Sequence, residues 1–257
     1  MSQTIEAPVL VEEHEGVLVV TLNRPQAKNA MNLAMALTIA EAMDRLDDDP
    51  RLQVGIITGA QGSFCSGMDL KAFLAGERPS VGDRGFGGLV QRPPRKPLIA
   101  AVDGYALAGG MELALACDLI VASENARFGI PEAKRGLVAA AGGLMRLPRQ
   151  MPHRLALELA LTGDFLEAPR AHDLGLVNRL TPGRALPSAL DLARQIAANG
   201  PLAVQASKEL INASRLWGEE EMWDRQAGIT EPVLASADAI EGAAAFAERR
   251  APQWTGS

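Results

Sequence analysis

The chain has 257 residues, 47% of them hydrophobic and 22% charged, which is typical of a globular protein with a substantial core. A formal net charge of −6 and an aromatic content of only 4% argue against a nucleic-acid-binding surface. No stretch has the length and apolar character of a membrane span, so we expect no membrane partner. Cys65 and Cys117 are too few for a disulfide framework or a cysteine-based zinc site, and they favour the cytoplasm. His14, His153 and His172 show no ligand spacing, so the sequence predicts no metal site.

Strand and helix patterns alternate through the first two thirds of the chain. Apolar and β-branched runs predict strands at 9–11, 17–22, 53–58, 98–102, 119–122 and 177–180. Helical spacing predicts a first helix that is capped by Asn29 or Asn32 and ends at about Asp48. The same spacing predicts further helices at 144–150, 153–161 and 168–173. The first of these helices is expected to turn Leu33, Leu37, Ala40 and Leu46 towards the core. The alternation predicts an α/β fold.

The pattern changes near residue 186. Helical segments then follow one another at 186–198, 201–216, 218–234 and 236–248, with no strand signal between them. The sequence therefore predicts a core region at 1–198 and an all-helical C-terminal region at 199–257. Within the core region, the segment 76–88 is rich in glycine, proline and charge, which predicts a mobile surface segment.

Two strand-to-helix junctions are the first candidates for a functional site. In one, Gly109 and Gly110 stand where a helix begins, and Glu112 falls in its first turn. The first N–H groups of a helix have no partner within the helix, and the helix dipole adds partial positive charge there. In the other junction, Met68 directly precedes Asp69, which fits a helix cap. If the junctions face each other, the N–H groups of Met68 and Gly109 can point at one oxygen and form an oxyanion hole.

A third junction adds a second carboxylate, because Glu132 follows Pro131 after the end of a short strand. Each junction also has a purely structural interpretation as a loop that caps a helix. Cys65 is better explained as a buried structural residue than as a nucleophile, since no histidine lies near it in the sequence. Asp118 stands at the entrance to a strand and is also predicted to be structural.

Five ordered motifs resemble those of the enoyl-CoA hydratase/isomerase (crotonase) superfamily, and they extend over essentially the whole chain. They are TLNRP at 21–25 with NAMN at 29–32, FCSGMDL at 64–70, AVDGYALAGGMELALACD at 101–118, FGIPE at 128–132, and FAERR at 246–250 with Pro252. The resemblance implies an α/β fold of the crotonase type, a spiral of repeated ββα units with an all-helical C-terminal region. It assigns trimerisation and capping to 199–257, and it implies homotrimers that usually pair into homohexamers.

The resemblance also implies an acyl-coenzyme A thioester as the substrate, with coenzyme A as part of that substrate and no separate cofactor. Matched by motif, Met68 and Gly109 supply the two oxyanion N–H groups. The loop backbone that lies along the adenine and pantetheine carries Ser66, Asp69, Leu70 and Lys71. Lys28 and Arg24 are candidates near the nucleotide phosphates, and a solvated basic surface explains them almost as well.

Glu112 and Glu132 match the two positions at which hydratases of this family keep glutamates. Hydration of a 2,3-double bond needs a carboxylate that takes a proton from the attacking water, and a proton delivered to C2 as the thioester enolate collapses. Because both residues are retained, the resemblance favours an enoyl-CoA hydratase, which is a hydro-lyase. The alternatives are a carnitinyl-CoA dehydratase (crotonobetainyl-CoA hydratase), which the closing segment also resembles, a Δ3,Δ2-enoyl-CoA isomerase, and a CoA-binding protein without activity.

Two positions depart from the pattern of the family. Ala139 and Ala140 stand where many hydratases have Pro-Gly, and Ala140 is expected to narrow the site of the water. Met68 replaces a smaller residue, so its N–H remains while its side chain occupies volume. We expect both departures to affect the acyl specificity more than the class of reaction.

Overall fold

The computed structural model describes residues 7–257. The strands are Val9–His14 (β1), Val17–Leu22 (β2), Val54–Gly59 (β3), Ser80–Val81 (β4), Gly85–Phe86 (β5), Leu98–Val102 (β6), Tyr105–Leu107 (β7), Leu119–Ser123 (β8), Arg127–Gly129 (β9), Phe165–Glu167 (β10) and Arg179–Thr181 (β11). The helices are Leu33–Asp48 (α1), Leu70–Leu74 (α2), Gly109–Ala116 (α3), Gly143–Gln150 (α4), His153–Thr162 (α5), Ala168–Asp173 (α6), Ala185–Ala197 (α7), Pro201–Ala213 (α8), Met222–Leu234 (α9) and Ala237–Glu248 (α10). The predicted α/β class is confirmed.

The largest sheet has six strands in the order β1-β2-β3-β6-β8-β11. The opening hairpin β1–β2 is antiparallel, and every later neighbour in this sheet is parallel. A second sheet has the order β10-β9-β7, with β7 parallel to β9. The chain therefore passes from the large sheet to the small one and into a helix, as in β6-β7-α3 and β8-β9-α4. This recurrence is the ββα repeat that the resemblance predicted.

The first helix shows how the chain buries its apolar side chains. Asn32 caps α1, because its side chain accepts a hydrogen bond from the Met35 N–H. Met35, Ile39 and Met43 recur at intervals of four residues and are fully buried. Leu37 is 46% exposed, so its predicted inward orientation is wrong. Apolar residues occur on more than one face of this helix, and the spacing alone did not identify the face that contacts the sheet.

Only the first half of the segment 76–88 has the exposure that its composition predicted: Gly76, Arg78, Ser80, Gly82 and Asp83 are exposed, whereas Arg84, Gly85, Gly87 and Gly88 are buried. The segment contains the antiparallel pair β4–β5. Arg84 is only 3% exposed and donates to the Asp44 carboxylate and to the Arg92 carbonyl. Gly88, with a φ of +72°, packs so closely on α1 that a Cβ would lie 2.2 Å from the Ala36 carbonyl oxygen. Gly85, Gly87 and Gly88 serve close packing, whereas a Cβ at Gly76 or Gly82 would meet nothing within 4 Å. Composition alone could not distinguish these two kinds of glycine.

The C-terminal helices α7–α10 confirm the helical pattern predicted after residue 186. The face of α7 that carries Ala185, Ala189 and Ala193 packs on one side of the large sheet. On α8, Lys208 Nζ lies 2.6 Å from Asp118 Oδ2, and the same Asp118 atom accepts the Leu98 N–H at 2.8 Å. Asp118 therefore has the structural surroundings that its position predicted. The division at residue 198 falls between α7 and α8 and stays a prediction.

Gly110 occupies a position where a side chain does not fit. A Cβ there would lie 2.1 Å from the Cys65 carbonyl oxygen, because α3 approaches the 64–69 loop backbone to backbone. We expect Gly110→Ala to lower the free energy of unfolding by about 1 to 3 kcal/mol, measured by urea denaturation. Gly183→Ala is the matched control, since a Cβ at Gly183 meets nothing within 4 Å. Equal stability of the two variants would contradict this packing argument.

Candidate active site

A cleft of about 780 Å³ lies where the 64–69 loop, the start of α3, the turn after β9 and the loop before α4 meet. Eight of the residues predicted for the site line it: Lys28, Ser66, Met68, Leu70, Gly109, Glu112, Glu132 and Ala140. They come from distant parts of the sequence, and the tertiary fold places them around one cavity. Their chemical roles stay predictions.

Backbone hydrogen bonds hold the 64–69 loop beside β7 and α3. The Cys65 N–H donates to the Tyr105 carbonyl at 2.8 Å, and the Leu107 N–H donates to the Cys65 carbonyl at 3.0 Å. Gly67 has a φ of +102°, and a Cβ there would lie 3.2 Å from the Gly109 nitrogen. The two junctions therefore adjoin, as the oxyanion-hole prediction requires.

The N–H groups of Met68 and Gly109 are available to a ligand. Neither donates to a protein acceptor within residues 7–257, and both residues line the cleft. Ala108, which precedes Gly109, has φ 52° and ψ −128°, a conformation that costs a non-glycine residue about 1–3 kcal/mol. Such strain persists where surrounding structure imposes it, and here it occurs directly before the Gly109 donor.

Glu112 is almost completely buried and is held by backbone donors. Its Oε1 accepts the Ala141 N–H at 2.7 Å and the Gly143 N–H at 2.9 Å. Burial raises the pKa of Glu112 above its usual range, while these two N–H groups and the charge of Arg146 act in the opposite direction. A Cβ on Gly143 would lie 2.8 Å from Glu112 Cγ, so glycine permits this close approach.

Glu132 has a different environment. It lies in the 3-10 turn Pro131–Arg135, and its buried Oε2 has no hydrogen-bond partner in the part of the chain that the structure describes. Burial raises the pKa of Glu132 to about 7, and the negative charge of Glu112 adds to this effect. The two carboxyl groups thus interact, and their protonation steps belong to the pair.

The raised pKa of Glu132 is expected to make the free energy of unfolding depend on pH. Between about pH 4.5 and 7 the folded protein holds a proton at this site that the unfolded chain loses, so rising pH destabilises the fold. Glutamine cannot ionise and avoids this cost. We expect Glu132→Gln to raise the free energy of unfolding by about 1 to 3 kcal/mol at pH 8, with the gain shrinking towards pH 5. Urea denaturation across this range measures it, and a gain independent of pH would contradict the titration.

Two of the predicted substrate-binding residues, Asp69 and Lys71, do not line the cleft. Asp69 Oδ1 accepts the N–H groups of Lys71 and Ala72, so Asp69 caps α2. Its Oδ2 lies 2.9 Å from Arg24 Nη2, and Arg24 Nη1 donates to the Ala30 carbonyl. Asp69 and Arg24 are therefore engaged in holding the loop, and Lys71 lies on the exposed side of α2.

The remaining predicted residues lie at the wall of the cleft. Lys28 Nζ sits 4.9 Å above the centre of the Tyr105 ring, and Ser66 Oγ donates to the Ala27 carbonyl at 3.4 Å. Sequence reasoning missed most of the apolar lining: Phe73, Phe86, Tyr105, Leu107, Leu137, Val138, Ala141 and Phe165. It also missed two cations in the lining, Lys134 and Arg135, although they follow the FGIPE motif with only Ala133 between.

The other groups considered for chemistry are engaged elsewhere. Burial raises the pKa of the Cys65 thiol to about 12, which is unsuited to a nucleophile. Among residues 7–257, no three histidine, cysteine, aspartate or glutamate side chains gather as a metal ligand set. Likewise, none of the helices described has the length and apolar character needed to cross a membrane.

The fold and the site define an α/β protein of spiral ββα units with an interacting carboxylate pair beside two free N–H donors. The model of the family "Enoyl-CoA hydratase/isomerase" matches residues 12–257. The chain belongs to this family, as its motifs predicted.

Relatives and solved structures agree over nearly the full length. The enoyl-CoA hydratase EchA19 of Mycobacterium tuberculosis is 46% identical in a match 257 positions long. The match covers 95% of this chain and 95% of the relative. A carnitinyl-CoA dehydratase of Proteus mirabilis is 45% identical over 249 residues, covering 93% of this chain and 95% of the relative. The crystal structure of an enoyl-CoA hydratase from Mycobacterium tuberculosis has a TM-score of 0.96 at 60% identity, covering 98% of this chain and 100% of that one. The crotonase-type fold is thereby confirmed.

Proposed function

We propose that the protein catalyses the reversible syn addition of water to a 2-enoyl-CoA thioester, which gives a 3-hydroxyacyl-CoA. The observation that carries this proposal is the pair Glu112 and Glu132 in one cleft with the free N–H groups of Met68 and Gly109. The reaction uses no separate cofactor or metal in this proposal, since protein groups supply both the proton transfers and the charge stabilisation. An absorbance assay with crotonyl-CoA tests it, and a lack of turnover would contradict it.

The two N–H groups act on the thioester. When water attacks C3, negative charge moves onto the thioester oxygen as an enolate forms. The Met68 and Gly109 N–H groups have no competing protein acceptor within the described residues, so they can both donate to that oxygen. Each such donor is typically worth about 10²–10³ in rate.

The glutamates handle the protons. One takes a proton from the water as it attacks C3, and a proton reaches C2 as the enolate collapses. Glu112 accepts two backbone N–H groups, which favour its ionised form, whereas Glu132 has a buried oxygen without a partner. The pair can therefore hold one proton and one negative charge near neutral pH, which is what a water shared by a base and an acid requires.

The charges along the cleft suit a coenzyme A thioester with a neutral acyl chain. Lys28 and Arg135 supply two cations in the lining for the phosphates, and a third lining cation, Lys134, is paired with Asp164, with 2.7 Å between Nζ and Oδ1. Among the described lining residues, Glu112 and Glu132 are the only carboxylates, so no third one is present to pair with a cationic chain.

The carnitinyl-CoA dehydratase activity remains the second candidate, because a relative with that name is 45% identical. A quaternary ammonium group is bound by a carboxylate or by an open aromatic face. The rings of Tyr105 and Phe73 already have Lys28 and Arg78 above them, and Phe86 and Phe165 are the other rings of the lining. Because the described lining has no third carboxylate, we expect crotonyl-CoA to be used faster than crotonobetainyl-CoA in an acyl-CoA panel, and the reverse order would favour the second candidate.

The same panel tests for an isomerase and for a CoA-binding protein without activity. Turnover of a 3-enoyl-CoA without hydration would support a Δ3,Δ2-isomerase. Binding of acetoacetyl-CoA without turnover of any panel member would support a protein that binds CoA thioesters and does not transform them.

The proposal includes a homotrimer or homohexamer in the cytoplasm. Support for association comes from large apolar side chains left exposed on the C-terminal helices of the single chain: Ile211, Trp223, Leu234, Ile240 and Phe246. Sedimentation that shows a monomer at micromolar concentration would contradict it. The two cysteines are free, which supports a reducing compartment.

A further inference from the structure

Arg146 lies in the first turn of α4, next to the 141–143 turn that holds Glu112. Its Nη2 donates to the Val90 carbonyl at 2.5 Å, which fixes the far end of the side chain. A Cβ on Gly142 would lie 2.4 Å from Arg146 Nη1, so the guanidinium packs directly on the Gly142 backbone. A side chain at position 142 would therefore meet the guanidinium, and the φ of +93° at Gly142 also favours glycine.

Gly142 separates the two donors that bind Glu112. The Ala141 N–H and the Gly143 N–H both reach Glu112 Oε1, and Gly142, against which the Arg146 guanidinium packs, lies between them. We infer that Arg146 is a positioning residue for the hydration reaction: it braces the 141–143 turn whose N–H groups bind Glu112. This inference rests on the proposed function.

Arg146 acts through Glu112 and not through the substrate. It is partly buried and is not among the residues that line the cleft. Its planar guanidinium can pack flat on a peptide while donating at its edge, which an ammonium group cannot do. Its effect on the reaction must therefore pass through the turn and the carboxylate that the turn holds.

The electrostatic surroundings support this role. Glu112 faces Arg146 on α4 and Glu132 in the turn after β9, while Arg146 also interacts with Cys117 and Arg149. Burial lowers the pKa of Arg146, and the nearby Glu112 opposes that effect. In the same way, the charge of Arg146 opposes the burial that raises the pKa of Glu112.

The first test requires no turnover. An isotope-edited infrared titration follows the Glu112 carboxylate band, assigned by subtracting the spectrum of Glu112→Gln. We expect Arg146→Met to move the midpoint of this band upward by about one pH unit or more, because an opposite charge is removed. Arg146→Lys should move it much less. Arg149→Met is the matched control, since it removes an exposed charge from the same helix.

The second test is the pH dependence of kcat/KM for crotonyl-CoA. In Arg146→Met the acid limb of the kcat/KM profile should move to higher pH together with the infrared midpoint. In Arg146→Lys the acid limb should stay at the pH of the wild type while kcat is lower. An unchanged midpoint in folded Arg146→Met, checked by its melting curve, would overturn the inference. If the wild-type protein does not hydrate crotonyl-CoA, the proposed function fails, and the infrared midpoint still decides whether Arg146 controls Glu112.

Discussion

Glu112→Gln and Glu132→Gln are each expected to lower the kcat for crotonyl-CoA hydration by at least about a hundredfold, measured by the loss of enoyl absorbance. Glutamine keeps the size of the side chain but neither takes nor delivers the proton. The oxygen of a glutamine at 112 can still accept from the Ala141 and Gly143 N–H groups, so the turn can remain in place. A rate near that of the wild type in either variant would remove that residue from the mechanism.

The double variant sharpens this prediction. If both carboxyl groups act on one water, they function as a unit, and their effects on kcat are not additive. We expect Glu112→Gln/Glu132→Gln to be little slower than the slower single variant. Losses that multiply would indicate two independent roles. Binding of acetoacetyl-CoA by every variant is the control that the cleft remains intact.

Met68→Pro is expected to lower kcat by about 10²–10³, because proline has no N–H to donate to the thioester oxygen. Within the described residues the Met68 N–H has no protein acceptor, so its removal breaks no hydrogen bond of the fold. Met68→Ala is the matched control: it removes the side chain and keeps the donor. We expect this control to lose less than about tenfold in kcat while its preference among acyl chains changes.

The comparison of the two Met68 variants separates the backbone role from the side-chain role. Steady-state rates with crotonyl-CoA and a longer 2-enoyl-CoA measure both, and melting curves show whether each variant folds. Equal losses in folded Met68→Pro and Met68→Ala would contradict the oxyanion assignment. The side chain would then be the part of Met68 that matters.

The limits of sequence reasoning follow from particular elements. The long strands β2, β3 and β6 and the helix α1 have apolar patterns that are clear without the fold, and they lie close to where they were predicted. The short strands β7 and β10 were missed, because three residues are too few to show a period. The strand predicted at 177–180 lies at Arg179–Thr181, and its predicted bounds are inexact because a strand of three residues shows no clear period.

The sequence by itself determined the residue types of the site, their order, and the family to which the chain belongs. The tertiary structure decided which of those residues meet: it brings Glu112, Glu132, Met68 and Gly109 to one cleft and leaves Asp69 and Lys71 outside it. It also decided the unequal surroundings of the glutamates, since the donors of Glu112 lie about thirty residues further along the chain. Hydrogen-bond partners and burial depend on contacts between distant segments, and no local pattern specifies them.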